Sequence, residues 1–349
     1  MLEKYINETP DWLSATGPDA DIAISGRIRL ARNIKGFPFS HWASTKNLND
    51  AADKIKDAVN KIDYFGGSES FKIKELDGLK KQFLVERHLI SREFVTVKQG
   101  LVIIADKEVL SLMVNEEDHI RFQVLSSGLS LLDAWQMVSG IDSLLSTQLD
   151  YAYCLDFGYL TACPTNVGTG LRASCMLHLP GLSMNRRIEK ILPTLSRVGL
   201  VSRGFYGEGS ETFGDLFQIS NQITLGRKEE ELIESLEKVV KQIIEHERES
   251  REEIAAKGGP KIEDRFKRAY ALLTNASLIS SKEAMELISV VRLGVATGFL
   301  DKIPYSALNK LFIITQPAHL QMFLGKELSA SERDKERAKL IQKELNYGT

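Results

Sequence analysis

Four short segments carry the residue types that do chemistry. Ser25-Gly26-Arg27-Ile28-Arg29 sets two arginines two positions apart, and because side chains alternate along an extended strand, both project from one face. Two same-face arginines suit a chain of phosphates, although such pairs also occur simply solvated or salt-bridged. Asn115-Glu116-Glu117-Asp118-His119, with Arg121 close behind, is an acid cluster of the kind met in solvated turns and metal sites. A third use is open to it. Paired carboxylates can hold a planar guanidinium by bidentate hydrogen bonds and draw off its proton as a nitrogen becomes a nucleophile.

The third segment, Cys163-Pro164-Thr165-Asn166-Val167-Gly168-Thr169-Gly170, leads into Arg172-Ala173-Ser174-Cys175-Met176. Pro164 fixes one dihedral while Gly168 and Gly170 permit close backbone approach, so amides, hydroxyls and an arginine can converge on an anion. A plain turn between strands is the alternative. The fourth, Arg203-Gly204-Phe205-Tyr206-Gly207-Glu208-Gly209, lacks the GxxxxGK[ST] pattern and is no P-loop. It reads as a mobile lid ending in a carboxylate or as a surface turn.

The elements that must position these segments follow from periodicity. Gly100 to Asp106, Leu110 to Val114, Arg121 to Leu125, Tyr151 to Asp156, Arg172 to Leu179 and Leu216 to Thr224 are apolar or alternating runs of strand length. Leu131 to Leu145 and Arg186 to Val198 carry helical spacing. Consecutive strands with few helices between them predict a largely antiparallel sheet covered by helices, the α+β class. After Gly226 the pattern changes. Leu232, Ile233, Leu236, Val239, Val240, Ile243 and Ile244 recur at helical spacing in a charged background. Further helical stretches follow the Gly258-Gly259-Pro260 break, around Phe266 to Leu273, Glu283 to Val295, Ala307 to Phe312 and Ser329 to Leu345. The expected division is a catalytic part over 1–226 and an all-helical part over 227–349.

Composition removes several classes of function. A chain of 349 residues with 43% hydrophobic and 26% charged residues can bury a sizeable core. Its net charge of −2 gives no general attraction to nucleic acid or an anionic membrane, so an anion site must be a local concentration of arginine. No signal-like start and no apolar run of about 18 residues predict a cytoplasmic chain. Cys154, Cys163 and Cys175 are odd in number and widely spaced, which fits neither a disulfide framework nor a zinc site. Cys154 and Cys175 lie in strand runs and are expected to be inert core residues.

In type and order these segments resemble the phosphagen (guanidino) kinases, and the CPTNxGT loop is a specific mark of that family. The resemblance implies an ATP-dependent phosphotransferase using Mg²⁺. It implies that Arg27, Arg29, Arg121, Arg172 and Arg203 grip the nucleotide phosphates and that His88 contacts the nucleotide. Around them, Ser25, Gly26, Ile28, Ala173, Ser174, Cys175, Met176, Gly204, Phe205, Tyr206, Gly207 and Glu208 line the nucleotide segments. Glu117 and Glu208 are implied as the carboxylates that orient the guanidinium and act as base, with Cys163 as a thiolate beside them. Relatives often carry serine or threonine where this chain has Gly26.

Familiar members carry a helical domain ahead of the RxR segment, whereas 26 residues precede Arg27 here and the helical mass follows the catalytic part. That arrangement is similar to the bacterial protein-arginine kinases, and an open acceptor site is expected to admit an arginine presented on a protein. Arg333-Asp334-Lys335-Glu336-Arg337-Ala338 resembles their RDxxRA motif, a pocket for phosphoarginine formed by Arg333, Asp334, Arg337 and Ala338; a solvated charged helix is the alternative. The resemblance also implies a homodimer, an activator of the McsA type, a heat-shock repressor as substrate and delivery of marked proteins to a Clp protease. Two rival readings remain. One is a kinase for free arginine, favoured by the same motifs. The other is a phosphoarginine-binding adaptor, against which stand Glu117, Cys163 and Glu208.

Overall fold

The computed structural model describes residues 2–205, 213–301 and 303–346. In chain order the elements are α1 (Glu3–Asn7), β1 (Ala23–Arg32), α2 (Thr45–Val59), β2 (Glu69–Lys72), α3 (Gly78–Glu86), β3 (Leu101–Ile104), β4 (Leu110–Val114), β5 (Ile120–Ser127) and α4 (Leu131–Ser146). They continue with β6 (Tyr153–Cys154), β7 (Gly158–Tyr159), β8 (Leu171–His178), α5 (Pro180–Met184), α6 (Ile188–Leu195), β9 (Leu200–Arg203) and β10 (Leu216–Asn221). The rest is helical: α7 (Glu229–Lys257), α8 (Gly259–Asn275), α9 (Ser281–Ala296), α10 (Tyr305–Ile314), α11 (Pro317–Leu324) and α12 (Ala330–Asn346).

Among the described residues, eight strands form one sheet in the order β2-β3-β4-β5-β1-β8-β10-β9, with every pairing antiparallel. The fold is α+β, with a helical C-terminal region. Alternation divides each central strand. Ile28, Leu30, Phe122, Val124, Ala173, Cys175 and Ile219 enter one core together with apolar residues of α2, α4 and α7. The long helix α7 closes this core through Leu232, Ile233, Leu236, Val240, Ile243 and Ile244. The change at Gly226 is therefore a change of secondary structure within one core. A second core begins with α8. Leu273, Ile288, Leu308, Phe312 and Ile341 meet Trp12, Leu125, Met176 and Phe205, which lie at one end of the sheet's other face.

Local chemistry sets the helix limits. Ser44 accepts the amide of Asn47 to cap α2, Asp77 accepts that of Lys80 to cap α3, and Ser280 with Glu283 forms a capping box on α9. Pro260 lies in the first turn of α8, where its missing amide costs no helical bond. One strand expectation differs from the structure. Of Tyr151 to Asp156 only Tyr153–Cys154 is strand, paired with Gly158–Tyr159 in a separate small hairpin. Gly158 turns the chain there at φ +76°, so the segment leaves the sheet instead of extending it. Cys154 is accordingly half-buried and not in the core, whereas Cys175 is fully buried.

Arg32, at the end of β1, ties three parts together. Its Nη2 meets Asp142 Oδ2 of α4 at 2.7 Å, and its Nη1 donates to the carbonyls of Ala31 and Thr169 at 2.9 and 2.8 Å. Its guanidinium lies 3.5 Å from the centre of the Tyr159 ring. Arg32 is buried, so removing it strands the Asp142 carboxylate in a dry site. We expect Arg32→Ala to lower unfolding free energy by about 3–5 kcal/mol. Urea denaturation measures this, and a loss under about 1 kcal/mol would show the pair to be peripheral.

Candidate active site

Antiparallel register assembles an arginine surface from four strands. Arg27 pairs with Leu125 and Ser174, Arg29 with Gln123 and Arg172, and Ala31 with Arg121. Gln218 pairs with both Met176 and Arg203. Directly paired residues share a face, so Arg27, Arg29, Arg121, Arg172 and Arg203 all emerge on the side away from the α4 and α7 core, with Ser25, Ser174 and Met176 among them. All five arginines are half-buried. Gly26, Ile28, Ala173 and Cys175 face the other way. Ile28, Ala173 and Cys175 lie in the core, and a Cβ on Gly26 would meet Ser126 Oγ at 3.0 Å and Leu131 Cδ2 at 3.1 Å. These four can reach a ligand on the arginine face only through their backbone.

The electrostatics of this surface are unfavourable without an anion. Burial and then the charges of Arg121, Arg172 and Arg203 pull Arg27 down to about 9. Burial and the neighbouring Arg27, Arg121 and Arg172 pull Arg29 well below its ordinary value. The Nε atoms of Arg27 and Arg29 are buried with no hydrogen-bond partner. Arg121 differs. Burial opposes its charge most, but Glu116, taking its Nη1 at 2.8 and 2.6 Å, together with Glu117 and Asp118 leaves Arg121 above its ordinary value. Glu116 also accepts Ser91 Oγ.

Beside Arg27 lies a pocket lined by Trp12, Ser25, His88, Leu125, Ser174, Met176, Phe205 and Gln218. The His88 ring meets Trp12 and Phe205 edge-on, with centroids 5.6 and 4.9 Å apart. Burial, then Arg27, Arg29 and Arg92, lower His88 to about 3, so its imidazole is neutral. The chemistry is that of a flat aromatic group joined to a polyanion.

Each residue of the Asn115–His119 turn has its own task. Asn115 turns the chain at φ +58° and donates to the carbonyls of Leu48 and Gln99 at 2.8 and 3.3 Å. Glu116 serves Arg121. Asp118 accepts Asn33 Nδ2 at 2.6 Å and the amide of Ala162 at 2.7 Å, which fixes the turn against the loop before Cys163. His119 accepts the amide of Ile34 on Nδ1 at 3.1 Å, and its Nε2 lies 2.9 Å from the Pro38 carbonyl. Asn115, Glu116, Asp118 and His119 are buried. Glu117 is exposed. Partial burial, then Asp118 and Glu116, raise its carboxyl above the ordinary range, against Arg121 and a hydrogen bond with Cys163.

The Cys163 loop is held by close backbone approaches. A Cβ on Gly168, at φ +107°, would lie 2.3 Å from the Thr224 carbonyl oxygen, and one on Gly170, at φ +63°, 2.5 Å from that of Ala31. Thr224 Oγ1 donates to the carbonyls of Thr165 and Val167 at 2.9 and 2.7 Å. Cys163 Sγ is 3.0 Å from Thr165 Oγ1. The loop thus sets Cys163 against Glu117, at the edge of the arginine surface. Gly204 and Phe205 are buried next to His88, whereas Tyr206, Gly207 and Glu208 lie outside the described residues.

The tail residues lie apart from this site. Arg337 is buried, donating Nε to the Thr315 carbonyl at 2.7 Å and Nη1 to the Ile279 carbonyl and Asp334 Oδ1 at 2.8 and 2.6 Å. Ala338 is in the second core. Arg333 caps the Leu328 carbonyl at 3.0 Å. Sequence reasoning did not single out Trp12, Gln123 or Gln218, nor the pairing of Glu116 with Arg121. Trp12 gives no local signal, because only the fold carries a turn near the N-terminus to the sheet.

Comparison with known proteins accounts for this geometry. The family model "ATP:guanido phosphotransferase, C-terminal catalytic domain" matches residues 50–250, and "Protein-arginine kinase McsB C-terminal domain" matches 259–348. The chain is 47% identical over 339 residues to the protein-arginine kinase of Symbiobacterium thermophilum, covering 96% of each. It is 44% identical over 347 residues to that of Bacillus cereus, covering 99% of this chain and 98% of the relative. Among solved structures, lombricine kinase aligns with a TM-score of 0.60 at 23% identity over 74% of each chain. The substrate-free duplicated taurocyamine kinase of Schistosoma mansoni aligns at 0.59 and 19% identity, over 92% of this chain and 50% of that one. Both of these show the fold alone. Sheet, matched models and near full-length identity lead to one assignment: the chain belongs to the ATP:guanido phosphotransferase family, among its protein-arginine kinases, and is a phosphotransferase.

Proposed function

We propose that the chain transfers the γ-phosphoryl group of ATP to the guanidinium of arginine residues in other proteins. The observation that carries the acceptor side is Glu117, the one residue of its turn that is not buried, with its carboxyl close enough to Cys163 to interact with it. In this reading the phosphates lie over Arg27, Arg29, Arg121, Arg172 and Arg203, and the base lies against neutral His88, with Ser25, Ser174, Met176 and Phe205 around it. Glu208, outside the described residues, is proposed as the second acceptor-side carboxylate.

A guanidinium holds its proton too tightly to be nucleophilic, so a base must take one as the reaction proceeds. Glu117 accepts that proton while Cys163 orients the group. The freed nitrogen attacks the γ-phosphorus in line, a P–N bond forms, the bond to the β–γ bridging oxygen breaks, and ADP leaves with its charge met by the arginines. In this reading a Mg²⁺ ion is carried mainly by the nucleotide phosphates. Bound there, Mg²⁺ would neutralise phosphate charge.

Gly259 onward serves, in this proposal, in phosphoarginine binding and dimerisation. Arg337 donates to Thr315, three residues before α11 begins to present amides to Glu86, which accepts Ala318 N at 3.0 Å and His319 N at 2.8 Å. Glu86 is two residues from His88, so these hydrogen bonds and the short backbone stretches between them join the tail to the nucleotide face. The family likeness further supports a cytoplasmic homodimer, an activator of the McsA type, a heat-shock repressor as substrate and a Clp protease as the recipient of marked proteins. No helix among the described residues is long and apolar enough to cross a membrane.

With MgATP and an arginine-rich protein, mass spectrometry at neutral to basic pH, which preserves P–N bonds, should find phosphoarginine; turnover on free arginine alone would overturn the reading. Glu117→Gln and Cys163→Ser should each lower kcat by about 10²–10⁴-fold with ATP binding kept. Because the base must be ionised and its pKa is raised, wild-type rate should fall on acidification at a pH above the ordinary carboxylate range, and this limb should vanish in the residual activity of Glu117→Gln.

Arg29→Gln relieves burial and repulsion, so it should raise the melting temperature of the nucleotide-free protein while weakening ATP binding by about 10–100-fold, the loss of one or two charge-assisted bonds. Scanning fluorimetry with and without ATP separates the two, and a fall in nucleotide-free stability would refute the repulsion argument. Arg333→Ala should blunt the response of kinase activity to added phosphoarginine. An unchanged response removes the proposed tail pocket.

A further inference from the structure

An apolar groove runs beside the acceptor loop and is used by nothing described so far. It lies between the segment after β1 and the β6–β7 hairpin, lined by Ile34, Phe37, Phe39, Trp42, Tyr153 and Leu160, among others. Large apolar groups in and next to it are bare. Of its lining residues Trp42 is 75% exposed and Tyr153 55%, and the tip of the hairpin that forms one wall carries Leu155 at 91% and Phe157 at 55%. The aromatic rings of the first wall pack on one another: His41 and Trp42 have centroids 4.5 Å apart and Phe39 and Trp42 6.3 Å. Clustered exposed side chains of this kind mark an interaction surface, and tryptophan and tyrosine carry much of the binding energy at such surfaces.

The groove is continuous with the acceptor site. Asn33 Nδ2 donates both to the Leu160 carbonyl at 3.1 Å and to Asp118, and Asp118 holds the amide of Ala162, one residue before Cys163. The Pro38 carbonyl on the opposite wall is fixed by His119, two residues beyond Glu117. Leu160 is three residues from Cys163, about 10 Å at most along an extended chain. The acidic turn at this end supplies the charge that complements an arginine, and the groove supplies apolar surface within reach of the same peptide.

We infer that this groove binds the substrate protein itself, taking an apolar side chain about three residues from the target arginine in an extended segment. The inference rests on the protein-arginine kinase reading. It assigns Trp42 and Leu155 as specificity-determining residues that act by docking, not in the chemical step. The occupant is an arginine-bearing, locally unfolded polypeptide with aliphatic or aromatic neighbours.

Two synthetic peptides test it, each with one arginine, one bearing leucine three residues away on both sides and the other serine at those positions. The wild-type enzyme should show a lower KM for the leucine peptide. Trp42→Ala and Leu155→Ser should each raise that KM about 5–20-fold, leaving kcat, the KM for ATP and the KM for the serine peptide nearly unchanged. The unchanged ATP and serine-peptide values report that the variants are folded. Equal KM values for the two peptides in the wild type, or equal losses on both in the variants, would overturn the groove assignment while leaving protein-arginine phosphorylation intact. Phosphorylation of free arginine with neither peptide modified would instead overturn the underlying reading. If Trp42→Ala converts an oligomer to a smaller species in sedimentation, the groove is a contact between copies and the inference fails.

Discussion

Five guanidinium groups are held close together on one face of a sheet, and that of Arg121 is hydrogen-bonded to the Glu116 carboxylate. Buried like charges repel, and water that could screen them is partly excluded. The arrangement persists because the arginines have no freedom to separate. Their Cα positions are set by backbone ladders between β5, β1, β8, β10 and β9, and those ladders are anchored by the apolar core on the opposite face. The favourable free energy of that core offsets the cost of the charged surface, and a bound polyanion would recover it. The cations are gathered during folding, so the surface is preorganised for an anion before one arrives.

The same economy of roles governs the acceptor edge. Three acidic residues in a row would repel one another in a free turn, and here each is assigned a different partner. Glu116 neutralises Arg121, Asp118 ties together Asn33 and Ala162, and Glu117 is left toward solvent with Cys163. Partial burial, and then the charge of the committed Asp118 and Glu116, raise Glu117 by disfavouring its ionisation. A carboxyl tuned upward in this way is a better base than an isolated surface glutamate.

The helical region is joined to the sheet by charged and polar contacts as well as by its apolar core. Glu86, which burial pushes up to about 7, receives two amides at the start of α11. Arg87 meets Glu108 and His319 around it. Further along the same face of the sheet, Arg292 and Ser289 of α9 bracket the neutral His178 of β8, with Ser289 donating onward to Asp215. Buried polar groups satisfied in this way fix the relative placement of elements more narrowly than apolar packing does.

How much of this was legible in the residues depends on the range of the interactions involved. Alternation along Arg27 to Arg29, the acid cluster before Arg121 and the proline-glycine loop after Cys163 are local patterns, so the sequence by itself determined the α+β class, the long amphipathic α7 and the shared face of Arg27 and Arg29. Local pattern could not show that Arg29 would lie opposite Arg172 while Ile28 and Ala173 turned to the core, because register between strands more than a hundred residues apart is a tertiary fact. It could not separate Glu116 from Glu117, identical side chains one position apart, since only a folded neighbourhood distinguishes them. Nor could it bring Trp12 to His88, or draw the Tyr153 hairpin out of the sheet to form a groove beside Cys163. Short-range pattern decides which residues can do chemistry. The long-range register of the sheet decides which of them meet.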